Sequence, residues 1–263
     1  MSSRTWRAPR MISSPWLRAA IWTGTILFLA ASFASIQVDP ARIARGLVRA
    51  QSFFAGFLSP DFASRGGALW QGLLESLTMT LTATVLGILL SIPVGLGAAR
   101  NIAILPVYLV CRAIVAVSRS FQEVIIAIFF VAAIGFGPLA GVFTLAFGSI
   151  GFLGKLLAEA VEEVDETQLE AVRATGAPWL IWVVYAIVPQ VIPRFIGLSL
   201  YRLDINFRES SVIGIVGAGG IGATLNTAFA RYDYEVAAAV LITIILIVMI
   251  TEYISGLIRR RFH

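Results

Sequence analysis

Residues 76–99 read SLTMTLTATVLGILLSIPVGLGAA, twenty-four positions without a charged side chain. A spanning helix needs ~20 apolar residues, because ~30 Å of hydrocarbon is crossed at ~1.5 Å per residue with every backbone polar group bonded internally. The stretch is a membrane crossing, and the rest of the chain repeats the pattern. Residues 19–38 form a second neutral run. Residues 124–154 form a third, too long for one crossing and interrupted by Gly135-Phe136-Gly137-Pro138, so they read as the end of one span, a turn and the next span. Residues 236–258 are apolar apart from Glu252, and Arg259-Arg260-Arg261 follow. Over all 263 residues, 58% are apolar and 13% charged, against about 25% charged in a soluble domain. The fold class is all-α, a polytopic membrane protein.

The same composition excludes several kinds of chemistry. The formal charge of +5 is spread over the chain ends and a few clusters, whereas nucleic-acid binding needs a basic face on a soluble fold. Cys111 is the one cysteine and His263 the one histidine, so an internal disulfide, a thiolate metal cage, a buried histidine ligand set and a histidine triad are all out. No residue constellation for an enzyme remains. A phosphate loop also fails: Gly154-Lys155 is preceded by Ser149 where the first glycine belongs and followed by Leu156 where Ser or Thr would hold magnesium.

Six spans are expected, at 19–37, 74–99, 105–134, 139–157, 192–213 and 236–258. The piece at 102–121 is punctuated by Arg112 and Arg119 and reads as an interfacial approach running into the crossing at 124–134; a separate seventh span there is the alternative. Residues 174–193 are neutral too, but Pro178, Pro189 and Pro193 leave 179–188 as the only uninterrupted piece, which is the length of an interfacial or re-entrant segment. Asp39 to Trp70 reads as an outer loop. The expected organisation is a cytoplasmic tail at 1–18, a first span and outer loop at 19–68, a transmembrane domain at 69–258 and a cytoplasmic tail at 259–263. A signal peptide is the alternative for the first 36 residues, although twenty neutral positions exceed its usual h-region. The triple arginine places the C-terminus inside. Six spans then place the N-terminus, with Arg4, Arg7 and Arg10, inside as well.

Lys155 to Arg173 is the most charged internal segment, and it must leave the bilayer. It runs into Glu170-Ala171-Val172-Arg173-Ala174-Thr175-Gly176, with Pro189 thirteen positions after the glycine. Gly176 permits a tight turn and Pro178 starts the next helix. Trp179, Leu180, Trp182 and Val183 supply an apolar side for a segment lying on the membrane surface. A connector without a partner is one reading of such a segment. The other is mechanical, a rigid element that receives force from a soluble partner. At this point the chain resembles the permease subunits of ABC importers, whose EAA loop has this spacing. Glu170, Ala171, Gly176 and Pro189 match it, whereas Val172, Ala186 and Val188 depart from it. The resemblance implies a coupling segment at about 158–190, including Thr175, that meets a separate ATP-hydrolysing subunit. ATP and magnesium would then sit in that partner and no cofactor in this chain.

The segment at 192–215 carries Arg194, Arg202, Asp204, Arg208 and Glu209. Ionised groups at membrane depth face a partner, the protein interior or water. At ~100° per residue, with Arg202 at zero, Asn206 falls at ~40° and Glu209 at ~340°, whereas Asp204 falls at ~200° and Arg208 at ~240°. Each of two opposite faces thus carries an arginine and an acid. Arg202, Asp204, Asn206, Arg208 and Glu209 are candidates for a translocation pathway, with structural pairing as the equal alternative. Gly217, Gly219, Gly220 and Gly222 follow, a candidate gate or bend rather than a dinucleotide fingerprint, since no strand and helix alternation surrounds them.

The run from Tyr201-Arg202-x-Asp204-x-Asn206-x-Arg208 through Gly222 is similar to the phosphonate-type permeases of ABC importers. That resemblance, over about 69–258, implies uptake of a phosphonate, phosphite or phosphate. It also implies a homodimer, an ABC ATPase dimer, an extracytoplasmic solute-binding protein, no nucleic acid, and a multi-pass place in the lipid of a bacterial cytoplasmic (inner) membrane. The rivals are an ABC permease for methionine or an amino acid, and an ion-driven secondary transporter using the Arg and Asp pairs.

Overall fold

The computed structural model describes residues 14–35 and 39–259. Arg4, Arg7 and Arg10, together with Arg260 and Arg261, on which the orientation argument draws, lie outside them. The described residues hold helices and no strand: α1 (Pro15–Ser35), α2 (Pro40–Leu58), α3 (Gly66–Gly97), α4 (Leu105–Ser120), α5 (Glu123–Ile134), α6 (Pro138–Glu162), α7 (Glu166–Ala174), α8 (Trp179–Trp182), a π turn (Val183–Ile187), α9 (Val188–Ile213), a second π turn (Gly214–Ala218), α10 (Gly220–Ala230) and α11 (Tyr234–Arg259). The chain divides into two compact units at Gln51 and Ser52.

In the first unit α1 is a 21-residue apolar helix with no buried residue. The start of α2 is helical where the sequence suggested loop. Arginines at 42, 45 and 49 recur every three to four positions, and Ile43 and Leu47 lie on another side, a helical period that the arginine count alone obscured.

In the second unit α3 and α6 pack along each other more extensively than any other pair. In a membrane such packing is driven by close backbone approach rather than by removal of apolar area from water. A methyl group added at Gly95 would lie 2.8 Å from Leu157 Cδ2. One at Gly87 would strike Ser149, and one at Gly141 would strike Met79. Around this pair sit three clusters: Met79, Ala83, Ala127, Leu145 and Ile213; Leu73, Phe207, Ile221, Leu225 and Val236; and, toward α7, Ala98, Leu157, Val161, Leu169, Trp182 and Ile187.

Among the described residues, five helical stretches are long and apolar enough to cross a membrane: α1, α3, α6, Trp179–Ala218 and the last helix from Tyr234. A sixth is reached only by joining α4 to α5, and that pair is bent by 96°. The expected span at 105–134 is therefore two helices, with the break at Phe121 and Gln122, both extended.

A further expectation is corrected in one respect. Residues 179–188 are not cut off at Pro189 but run on through the π turn into α9. Pro189 lacks an N–H and crowds the carbonyl one turn before it. The π turn at Val183–Ile187 ends one residue short of it, and its wider ring accommodates that carbonyl, so the axis continues. Pro193 lies inside α9, where neighbouring protein makes such a break tolerable.

Candidate functional site

One end of the second unit is built around α7. Asp165 caps the helix, its carboxylate accepting from Thr167 N at 2.9 Å, a contact worth ~1 kcal/mol. Asp165 N donates to Gln190 Oε1 at 3.0 Å, which ties the start of α7 to α9. Leu169 is 4% exposed within the apolar cluster, while Glu170, Ala171, Thr175 and Gly176 are exposed. Gly176 has φ +76°, the left-handed turn that the sequence asked of it, and its N–H donates to Arg173 O at 3.0 Å. Pro189 is exposed at the second position of α9. Trp182 and Val183 are buried, and the Arg173 guanidinium lies 4.2 Å from the Trp182 ring centre. Trp179 and Leu180 are exposed instead of joining them, although Trp179 Nε1 donates to Ile102 O. The floor is braced by Glu162, whose carboxylate accepts from Arg100 N and from Arg112, each at 2.8 Å. The result is a short helix held by its buried side with Glu170 and Ala171 presented outward.

Midway along the helices lies a second arrangement. Asn206 is fully buried and donates from Nδ2 to Thr84 Oγ1 at 2.9 Å and to Ser149 Oγ at 3.1 Å. Arg202 Nε donates to the same Ser149 hydroxyl at 2.9 Å. Its Nη2 pairs with Glu123 at 3.4 Å, and its guanidinium faces the Phe152 ring at 5.4 Å. Gly148 makes the room, since a methyl there would lie 2.7 Å from Arg202 Nη2. Thus α3, α5, α6 and α9 are joined through one polar knot. The helical angles correctly put Asn206 beside Arg202, but the acid paired with Arg202 is Glu123, at the start of α5, and not Glu209. Glu209 is half-buried, within electrostatic reach of Glu123, Arg202 and Arg208.

The opposite face of α9 behaves differently. Arg208 Nη2 pairs with Asp204 Oδ2 at 2.7 Å, one turn away. Asp204 is 3% exposed and also accepts from Thr251 of α11 at 3.5 Å, whereas the Arg208 side chain is 48% exposed.

The glycine run makes the third arrangement. Gly217, Gly219 and Gly220 have φ of +99°, +81° and +72°, conformations that a side chain would strain. Gly217 O accepts from Gly137 N at 3.0 Å, so this bend is joined to the Gly135–Pro138 turn. Glu75 and Ser76 of α3 accept from Gly220 N and Ile221 N at 3.2 and 2.9 Å, satisfying the first donors of α10. Gly222 is not part of the bend but lies in α10, where a methyl would come 2.9 Å from Gly214 Cα.

Ser149, Thr84, Gly148 and Thr251 escaped the sequence reading as site residues. The available signal was the spacing of Ser76, Thr80 and Thr84 at four-residue steps, all buried along α3.

Residues 70–263 match the family of binding-protein-dependent transport system inner membrane components, and the chain belongs to that family. It is 41% identical over 232 residues to the phosphate-import permease protein PhnE of Mycolicibacterium smegmatis, covering 88% of this chain and 44% of that protein. The chain therefore spans less than half the length of that relative. It is 39% identical over 227 residues to the phosphite transport system permease protein PtxC of Stutzerimonas stutzeri, covering 86% of this chain and 82% of that one. Among solved structures, a chain of the MetNI methionine ABC transporter in an inward-facing conformation is 26% identical with a TM-score of 0.64, covering 76% of this chain and 100% of that one. The chain is a permease-type, multi-pass inner-membrane protein, and its relatives are transport subunits rather than enzymes.

Proposed function

We propose that the chain is the translocating subunit of an ATP-driven importer for a phosphorus oxyanion: a phosphonate, phosphite or phosphate. Two copies form the passage, a dimer of ATPase subunits that binds ATP and magnesium docks beneath them, and an external solute-binding protein delivers the cargo. The observation that carries this reading is α7 with its turn. A nine-residue helix is anchored by Leu169 on the buried cluster, is capped by Asp165, and presents Glu170, Ala171, Thr175 and Gly176 outward. Such an element transmits a push to α6, which ends just before it, and to α9 through the Asp165–Gln190 hydrogen bond. Its docking side faces the cell interior, as do both chain termini. Relatedness near 40% to phosphate and phosphite permeases supports the oxyanion class, and the lower identity of the methionine transporter chain makes methionine the second reading.

The test is uptake by the complete importer, the chain reconstituted with its ATPase and binding protein. Uptake of phosphite, phosphate or methylphosphonate requires ATP, and an excess of a transported anion competes. ATP-dependent methionine uptake indifferent to all three would remove the substrate class while leaving the ATP-driven permease in place.

A further inference from the structure

The five charged or polar candidates on α9 do not share one environment. The Arg202 side chain is 4% exposed and held on three sides by Ser149, Glu123 and the Phe152 ring. Asn206 is fully buried between Thr84 and Ser149. Both are enclosed by protein, and breaking their bonds would leave buried polar groups without partners.

Arg208 is the reverse case. Asp204, almost completely buried and also joined to Thr251, grips one terminal nitrogen of the guanidinium. The rest of the fork is half exposed. Tyr201, 40% exposed, and Val212, 45% exposed, lie on the same side of α9, within ~40° of Arg208 at ~100° per residue. A guanidinium at membrane depth does not face hydrocarbon, because an uncovered charge there is costly. In a two-copy permease its exposed edge therefore meets water or the second copy, and the proposed passage supplies the water. A planar fork fixed at one corner and wet at the others is suited to bidentate donation to a tetrahedral oxyanion.

We propose that Arg208 is the solute-contacting residue of the passage, with Asp204 as its positioning residue, and that the Arg202 knot is scaffold. This rests on the oxyanion reading above. Arg208 gives the anion a transient stop, and the Asp204 carboxylate weakens that stop so that the anion leaves.

The experiment measures solute moved per ATP hydrolysed in the complete importer, with phosphite, phosphate and methylphosphonate as separate probes. Arg208→Ala lowers that ratio roughly tenfold, the scale of one charge-assisted hydrogen bond. Arg208→Lys, which keeps the charge without the fork, lies between Ala and the parent. Asp204→Asn lowers the ratio less than Arg208→Ala, and Asp204→Glu restores part of it. Arg202→Ala lowers uptake and hydrolysis together, leaving the ratio of the assembled fraction unchanged. An unchanged ratio in Arg208→Ala overturns the proposal, as does an equal fall of uptake and hydrolysis, which would make Arg208 a structural contact between permease copies. If Arg208→Ala fails to assemble, an unchanged ratio in Arg208→Lys overturns it equally. Failure of the parent protein to move any of the three anions would instead remove the substrate class, and this proposal with it.

Discussion

Ser149 occupies the centre of the polar knot: its hydroxyl accepts from both Arg202 and Asn206 and donates to Leu145 O at 2.6 Å. A hydroxyl used this fully has no tolerance for displacement, and the glycine beside it protects the geometry. Gly148→Ala places a methyl 2.7 Å from Arg202 Nη2, so it is expected to cost ~1–3 kcal/mol, the range for overpacking a filled interior. Thermal unfolding in detergent measures it, and an unchanged transition temperature would mean that Arg202 yields freely. Helical angles suffice to place Arg202 with Asn206 and Asp204 with Arg208, because that period is local. They cannot find Glu123, which lies 79 positions from Arg202, since such a contact depends on how α5 is seated and not on sequence spacing.

Among the elements, α7 and its turn carry the proposed coupling. Nothing lies within 4 Å of a methyl built on Gly176, so Gly176→Ala meets only the backbone penalty of a left-handed residue, ~1–2 kcal/mol. Gly176→Pro is more severe. Proline locks φ on the negative side, while the turn needs +76° and uses the Gly176 N–H. The expected outcome is a protein that still inserts, as judged by membrane fractionation, but has lost ATP-dependent uptake. Glu170→Arg, exposed on the presented face, should do the same without disturbing the fold. Normal uptake in both variants would reduce α7 to a connector. The turn was legible because glycine chemistry is local. The continuous stretch from Trp179 was not, since three prolines read as interruptions and a π turn leaves no mark in composition.

For the whole molecule, composition and run length made the membrane crossings legible, and the bent pair α4 and α5 is where length alone fails. Leu105–Ser120 is 16 residues and carries Arg112 and Arg119, short and charged for an independent crossing. Counting the pair once gives six crossings and, in the proposed orientation, both termini inside. A cysteine introduced into the N-terminal tail of a Cys111→Ser variant is then expected to react with an impermeant thiol reagent only after the membrane is opened. Exclusive labelling of intact cells would reject six.

The central claim is that this chain moves solute only when a separate ATPase drives α7. Its most direct test is transport in vesicles containing the purified chain, with and without the ATPase subunits, with binding protein, ATP and one of the three phosphorus oxyanions present. Accumulation against a gradient is predicted only when the ATPase is included. Uphill accumulation by the chain without it would contradict the account.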